Sequence, residues 1–200
     1  METLNDIPII SFANNQEWEQ WLASNHAQPT GIWLKLAKKT APAPSITYGE
    51  ALDAALCYGW IDGQLKALDA HYYLQRFTPR RPKSVWSKRN ITKVTALIKA
   101  GKMQPSGLAE VEAAKTDDRW KQAYDSPKNS IVPDDFQRAL DQNPKAKAMF
   151  ATLNKANTYA LLWRIQTAKK LETRQARITQ FIAMLEKGQT FHPNGTRQKK

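Results

Sequence analysis

The residues of this 200-residue chain that are best suited to chemistry are cationic, and many lie in one uninterrupted stretch. Residues 70–109 carry nine positive charges and no negative one, between Asp69 and Glu110. The centre of this stretch, residues 76–90, is here called the basic segment. Guanidinium groups bind phosphate and carboxylate through paired hydrogen bonds, so the basic segment predicts a surface that receives an anion.

Residue types divide the roles within the basic segment. We expect its arginines to hold negative charge, its serines to donate hydrogen bonds and its tryptophan to stack on a flat ligand. The candidate ligand-binding residues are Arg76, Arg80, Arg81, Ser84, Trp86, Ser87 and Arg89. The alternatives are a solvated basic loop and a tryptophan that is buried in the core.

A second constellation lies just upstream, where residues 58–63 read YGWIDG. Two glycines flank an aromatic residue and an acid, which lets the backbone approach a ligand closely. Trp60 is a candidate stacking residue, and Asp62 is a candidate ligand-binding residue that could also act as acid or base. The alternative for Asp62 is the turn-forming residue of an Asp-Gly hairpin.

A third constellation lies near the C-terminus. Arg174 and Arg177 fall one turn apart on a predicted helix, where both could reach one anion. The alternative is an ordinary charged helix surface.

The overall charge agrees with an anionic partner. The formal net charge of +12 favours phosphates, nucleic acid or acidic surfaces through long-range attraction, although lysines are scattered along the whole chain. Three histidines lie far apart and Cys57 is the only cysteine, so neither a metal site nor a disulfide is predicted. No nucleotide-binding loop or nucleophile elbow is present, and we expect no cofactor.

The pattern of apolar residues bears on location. No apolar run approaches the roughly 18 residues of a membrane span, so no membrane insertion is predicted. The first residues are acidic where a signal peptide is positively charged, and a cytoplasmic location is therefore expected.

Periodicity predicts an α+β fold with a small antiparallel sheet packed with helices, followed by a helical C-terminal part. The predicted strands are Ile32–Ala37, residues 64–68 and residues 72–78. Thr47 and Glu50 form a capping-box pattern that starts a helix. We expect an α+β domain over residues 1–125, a helical subdomain over 130–188 and a basic, flexible tail over 189–200, with the boundary in the polar stretch 125–132.

Several short motifs arrive in an order that resembles a known family. The motifs are residues 18–22, 25–26, 31–33, 47–63, 77–90, 101–103, 123–124, 168–169 and 172–174. Together they resemble the YdeI/OmpD-associated, or bacteriocin-protection, family of bacterial proteins over nearly the full length, to about Pro193. The resemblance implies a link to an outer-membrane porin and to protection against bacteriocins or cationic peptides, and it supplies no catalytic residues.

Three functional hypotheses follow from these patterns. The favoured one is a cytoplasmic binding protein for an anionic ligand, either a small phosphorylated molecule or a nucleic-acid backbone. The second is an enzyme that uses Asp62 in the same cleft, and the third is an interaction protein that binds an acidic partner. The sequence determines neither the ligand nor the oligomeric state.

Overall fold

The computed structural model describes residues 2–125 and 131–194, and the chain divides into two units. Unit 1 comprises Met1–Lys121 and unit 2 comprises Gln122–Lys200. Most of the predicted boundary, residues 126–130, and the end of the predicted tail, residues 195–200, lie outside the described residues.

Unit 1 contains a five-stranded sheet. Its strands are β1 (Thr3–Leu4), β2 (Ile7–Ile10), β3 (Ile32–Ala37), β4 (Trp60–Ala67) and β5 (Tyr72–Pro79). Their order is β1-β2-β3-β5-β4, and every neighbouring pair is antiparallel except β2 with β3, which is parallel. The α+β class is thus confirmed, whereas the sheet is mixed and gains two N-terminal strands that are too short to give a clear sequence signal.

The predicted hairpin turn at Asp62-Gly63 is wrong. Both residues lie inside β4, at an irregularity where the register with β5 shifts between Asp62 and Leu65. The buried Gln75 amide fills this bulge by donating to the carbonyls of Gly63 (2.9 Å) and Gln64 (3.3 Å). The chain reverses instead at residues 68–71, where the Asp69 carboxylate accepts from two backbone amides and forms an Asx-type turn.

Four helices accompany the sheet in the described part of unit 1. They are α1 (Asn15–Asn25), α2 (Tyr48–Cys57), α3 (Lys88–Lys99) and α4 (Pro105–Thr116). The predicted capping box at Thr47 and Glu50 starts α2, and the Ser87 hydroxyl caps α3. These side chains accept hydrogen bonds from amides that the first turn leaves without helical partners.

The core of unit 1 lies between one face of the sheet and the helices. Ile32, Leu34 and Leu36 alternate along β3 and are almost fully buried. Trp18 of α1 packs on Phe77, which lies opposite Ile32 in the sheet, and its indole N–H donates to the Ala51 carbonyl of α2. The remaining β3 side chains, Trp33 and Lys35 among them, therefore point to the other face of the sheet.

Unit 2 is helical in its described residues. It contains α5 (Asp134–Asp141), α6 (Pro144–Ala151), α7 (Lys155–Gln166) and α8 (Leu171–Glu186). Its core is a cluster of buried apolar residues: Phe136, Leu140, Ala146, Leu161, Leu162, Ile165, Phe181 and Leu185. Within the described ranges, none of the helices of either unit combines the length and apolar character that crossing a bilayer requires.

The N-terminus of α7 holds part of the predicted flexible tail. Asn154 caps this helix, and its side chain accepts from the Asn157 backbone amide. Asn157 is buried and exchanges hydrogen bonds with the backbone of His192, while the Asn194 side chain accepts from the Asn154 amide. Residues 192–194 are thus anchored by a polar network.

Two helical glycines provide a test of packing in unit 1. A Cβ at Gly107 would lie 2.1 Å from the Cys57 carbonyl oxygen, whereas at Gly49 its nearest neighbour would lie 3.9 Å away. We expect Gly107→Ala to lower the free energy of unfolding by about 2 kcal/mol or more through overpacking. Gly49→Ala should raise it by about 0.5 kcal/mol through reduced unfolded-state entropy.

Urea denaturation of both variants measures this difference. A neutral effect of Gly107→Ala would show that α2 and α4 do not pack as closely as described.

Candidate anion-binding site

Much of the basic segment is buried rather than presented to a ligand. The Arg80 guanidinium lies 3.6 Å from the centroid of the Trp86 ring, and the exposed fractions are 6% for Arg80 and 1% for Trp86. A stack of this kind is a desolvated cation–π contact. Trp86 therefore takes the core position that the sequence left as its alternative.

Neighbouring polar groups complete this packing. Arg119, itself only 5% exposed, donates to the Ser84 carbonyl at 2.9 Å and pairs with Asp117 at 2.7 Å. Trp120 contacts Trp86 with ring centroids 5.1 Å apart. The Ser84 hydroxyl accepts from Arg80 at 3.4 Å. Arg80, Ser84 and Trp86 thus contribute to the packing of unit 1.

The other stacking candidate, Trp60, is also a core residue. Its side chain is fully buried, its indole N–H donates to the His26 carbonyl at 2.7 Å, and its ring contacts Trp18 and Trp21 edge-on. No face of this ring is open to a ligand. Ser87 likewise uses its hydroxyl to accept from the Asn90 amide at 3.1 Å.

Asp62 and Arg89 meet at one residue that the sequence did not single out. The Tyr48 hydroxyl donates to the Asp62 carboxylate at 2.8 Å, and the Arg89 guanidinium lies 5.7 Å from the Tyr48 ring centroid. Burial raises the pKa of Tyr48 to about 12, and the bond to Asp62 adds to this effect, while Arg89 opposes it. The phenol therefore stays protonated and holds Asp62 in place.

Arg174 and Arg177 serve the packing of unit 2. Arg174 binds Asp135 through two hydrogen bonds, of 2.6 and 2.9 Å, and donates to the Ile165 carbonyl at 2.9 Å. Arg177 donates to the Arg164 carbonyl. These carbonyls lie in the last turn of α7, where cations are favoured by the helix dipole.

Arg76, one of the two arginines that remain from the prediction, lies at the sheet face turned away from α1. The guanidinium of Arg76 and the ammonium of Lys66 lie 5.8 and 5.5 Å from the centroid of the same ring, that of Trp33. Lys35 lies 4.5 Å from the Tyr72 ring centroid on this face. We call Trp33, Lys35, Lys66, Tyr72 and Arg76 the basic sheet face.

Arg76 is fixed in position by the backbone. Its guanidinium donates to the carbonyls of Ile32 (2.8 Å), Phe77 (3.0 Å) and Thr30. A Cβ at Gly31 would lie 2.9 Å from this guanidinium, so glycine leaves the space that the arginine occupies. Such anchoring limits the conformational entropy that Arg76 would lose on binding a ligand.

Positive charge at this face is not neutralised by ion pairs, although one acid, Asp69, interacts with it at longer range. The pKa of Asp69 is lowered first by backbone hydrogen bonds from His71 and Tyr72 and further by the charge of Lys35. Burial lowers the pKa of the Arg76 guanidinium, and the positive charge of Arg81 lowers it further. Across residues 2–125, Lys35, Lys66, Arg76 and Arg81 take part in none of the ion pairs. Like charges held together without a counter-charge favour the approach of an anion.

Sequence reasoning identified Arg76 and Arg81 but missed Trp33, Lys35 and Lys66. The alternation in β3 gave a signal for the first two, because a strand that buries Ile32, Leu34 and Leu36 turns both to its other face. Lys66 reaches Trp33 across Leu74, a proximity that depends on the register of β4 and β5. In the part of the chain that the structure describes, no group of acids, histidines and cysteine is arranged to hold a metal.

Comparisons with known proteins match both parts of the chain. Residues 10–110 match a family model described as a domain of unknown function. Residues 129–188 match a family model described as bacteriocin-protection, YdeI or OmpD-associated. Most of the motifs that carry the resemblance in the sequence, including residues 58–63 and 79–87, lie within the first match. No curated protein and no solved structure matches the chain.

Arg80 and Arg81 should respond differently to the same substitution. Arg80→Ala removes the buried stack on Trp86, and we expect the free energy of unfolding to fall by about 2 kcal/mol. Arg81 is exposed, so Arg81→Ala should change it by less than about 0.5 kcal/mol. Thermal or chemical denaturation provides the measurement. Equal stabilities of the two variants would contradict the structural role of Arg80.

Unit 2 should lose stability in acid through Asp135. The hydrogen bond from Arg174 lowers the pKa of this carboxyl, so its contribution is complete above the unfolded pKa of about 3.9 and is lost as pH falls through the lower, folded value. Arg174→Ala should cost about 1–2 kcal/mol at neutral pH, because the pair is partly exposed.

Denaturation at several pH values tests this link. The difference between wild type and Arg174→Ala should shrink as the pH drops below about 4. Lys169→Ala, an exposed change of equal charge, is the control and should show no such pH dependence. If the difference in the free energy of unfolding between the two proteins is the same at every pH, Arg174 does not stabilise unit 2 through Asp135.

Proposed function

This chain belongs to the bacteriocin-protection, YdeI or OmpD-associated family through residues 129–188, and we propose that unit 1 makes it a binding protein for an anionic ligand. The ligand is bound at the basic sheet face, with Arg81 beside it. The family description names protection and a porin but no ligand, so the proposal comes from the residues of unit 1. A cytoplasmic location stays a prediction, as does any indirect role in resistance.

One observation carries the proposal. Lys66 and Arg76 place two positive charges within 6 Å of the centroid of one indole ring, and Arg81 is near enough to disfavour the charge on Arg76. The charges of Arg76 and Arg81 disfavour one another, and none of these three cations pairs with an acid among the ion pairs of the described residues. A bound anion would relieve the repulsion between the two arginines.

The chemistry of the basic sheet face favours binding to the phosphate groups of a ligand rather than to its aromatic bases. Trp33 is only 3% exposed, and Lys35 lies over Tyr72, so neither ring offers a free surface on which a base could stack. Lysine and arginine can still contact phosphate oxygens. Binding should therefore depend on phosphate charge and show little preference for base sequence.

Two double variants of equal net charge test the face. Lys66→Ala with Arg81→Ala removes two exposed cations at the face, and Lys99→Ala with Lys145→Ala removes two exposed cations elsewhere. The probes are inorganic pyrophosphate, measured by calorimetry, and a labelled single-stranded oligonucleotide, measured by anisotropy. We expect the first double variant to weaken binding at low salt roughly tenfold or more, and the second to change it much less.

Salt dependence separates local contacts from general attraction. For the oligonucleotide, the first double variant should reduce the slope of log affinity against log salt by about 1–2, since it removes up to two phosphate contacts. Equal weakening by both double variants would assign binding to net charge alone. Absence of binding by both probes would remove the phosphate proposal and leave the enzyme and acidic-partner hypotheses as predictions.

A further inference from the structure

A cavity in unit 1 has a character opposite to that of the basic sheet face. It has a volume of about 140 Å³ and lies among side chains of α1, α2 and α3 together with Lys102. A cavity of this order holds a molecule of about six non-hydrogen atoms. Glu19, Glu50 and Asp53 contribute carboxylates to its lining, in a chain whose net charge is +12.

Two buried groups on the wall lack hydrogen-bond partners. Cys57 is 6% exposed, and its thiol makes none of the hydrogen bonds found in residues 2–125. The Asn15 Oδ1 atom is buried and accepts no hydrogen bond there. The Asn15 amide nitrogen donates to Glu19 at 2.6 Å, which fixes the orientation of the amide and leaves Oδ1 as the unused acceptor.

The three carboxylates differ in how many of their oxygen atoms already bind groups of the protein. Glu50 closes the capping box of α2. Asp53 binds Lys93 through one oxygen at 2.6 Å, and Glu19 accepts from Asn15 through one oxygen. Each of these last two acids therefore has a second oxygen with acceptor capacity.

The neighbouring carboxylates affect the pKa of the Cys57 thiol. Burial raises the pKa of Cys57 to about 11, with further contributions from Glu19 and Asp53 and an opposing one from Lys102. At neutral pH the thiol is protonated and carries no charge. Glu19 and Asp53 are thus close enough to act on a group inside the cavity.

We propose that this cavity binds the primary ammonium group of a small organic molecule, with Glu19, Asp53 and Asn15 Oδ1 as acceptors. An ammonium group has three N–H donors, and these three side chains supply one acceptor each. The positive charge of the ligand meets the two carboxylates. Lys102 lines the same cavity and offers a counter-charge to a carboxylate on the ligand, as in an α-amino acid.

The single cysteine gives a direct readout of occupancy. Cys57 is the only thiol in the chain, so modification by a small methanethiosulfonate reagent reports access to the cavity. Ethylamine should slow this modification to a saturating limit. Tetramethylammonium, which has the charge but no N–H donor, should not. Equal slowing by both cations, or no slowing by ethylamine, overturns the proposal.

Matched variants assign the effect to the cavity. Glu19→Gln keeps the shape and removes one charge, and should raise the ethylamine concentration needed for protection roughly tenfold. Glu172→Gln, an exposed acid of unit 2, is the control and should leave it unchanged. Protection that is unaltered by Glu19→Gln, or altered equally by Glu172→Gln, contradicts the assignment. Ala54→Leu, which fills the cavity, should abolish protection provided that its circular dichroism is native.

The same assay distinguishes two sources of the ammonium group. If L-alanine protects as well and Lys102→Ala weakens its protection alone, the cavity accepts amino acids; protection by ethylamine alone indicates simple amines. Both results support an ammonium site. Because phosphate probes are not involved, failure here would leave the anion-binding proposal unaffected.

Discussion

The alternation of side chains along β5 is the constraint on which the rest of unit 1 depends. β5 lies between β3 and β4, so each of its residues must serve one of two faces. Phe77 enters the aromatic core against Trp18, and Arg76 next to it turns to the opposite face beside Trp33. One strand therefore secures the core and positions the central cation of the candidate site.

Arginine residues that look equivalent in the sequence have different structural roles. Arg80 stacks on a buried tryptophan, and Arg174 and Arg177 bind carbonyls at the end of α7. In each case the guanidinium satisfies the protein's own polar or aromatic groups, which stabilises the fold. Arg76 also binds backbone carbonyls, but it shares the Trp33 ring with Lys66, and neither cation belongs to an ion pair among the described residues. Charge density by itself does not separate these roles.

Unit 1 also segregates charge of opposite sign. Its basic sheet face and the acidic cavity beside Cys57 are formed by different elements, the strands in one case and α1, α2 and α3 in the other. The large net charge of the chain therefore does not describe every part of its surface.

The α+β class, β3 and the capping box before α2 follow from local rules, since periodicity and capping depend on residues within one or two turns. The resemblance to the family whose model matches residues 129–188 was likewise evident from short motifs. The bulge at Asp62-Gly63, the burial of Arg80 and Trp86 and the meeting of Lys66 with Arg76 arose from strand register and packing between distant segments. The sequence alone determined which charges and rings are present. Only tertiary structure decided which of them are buried, because burial depends on neighbours that local sequence does not specify.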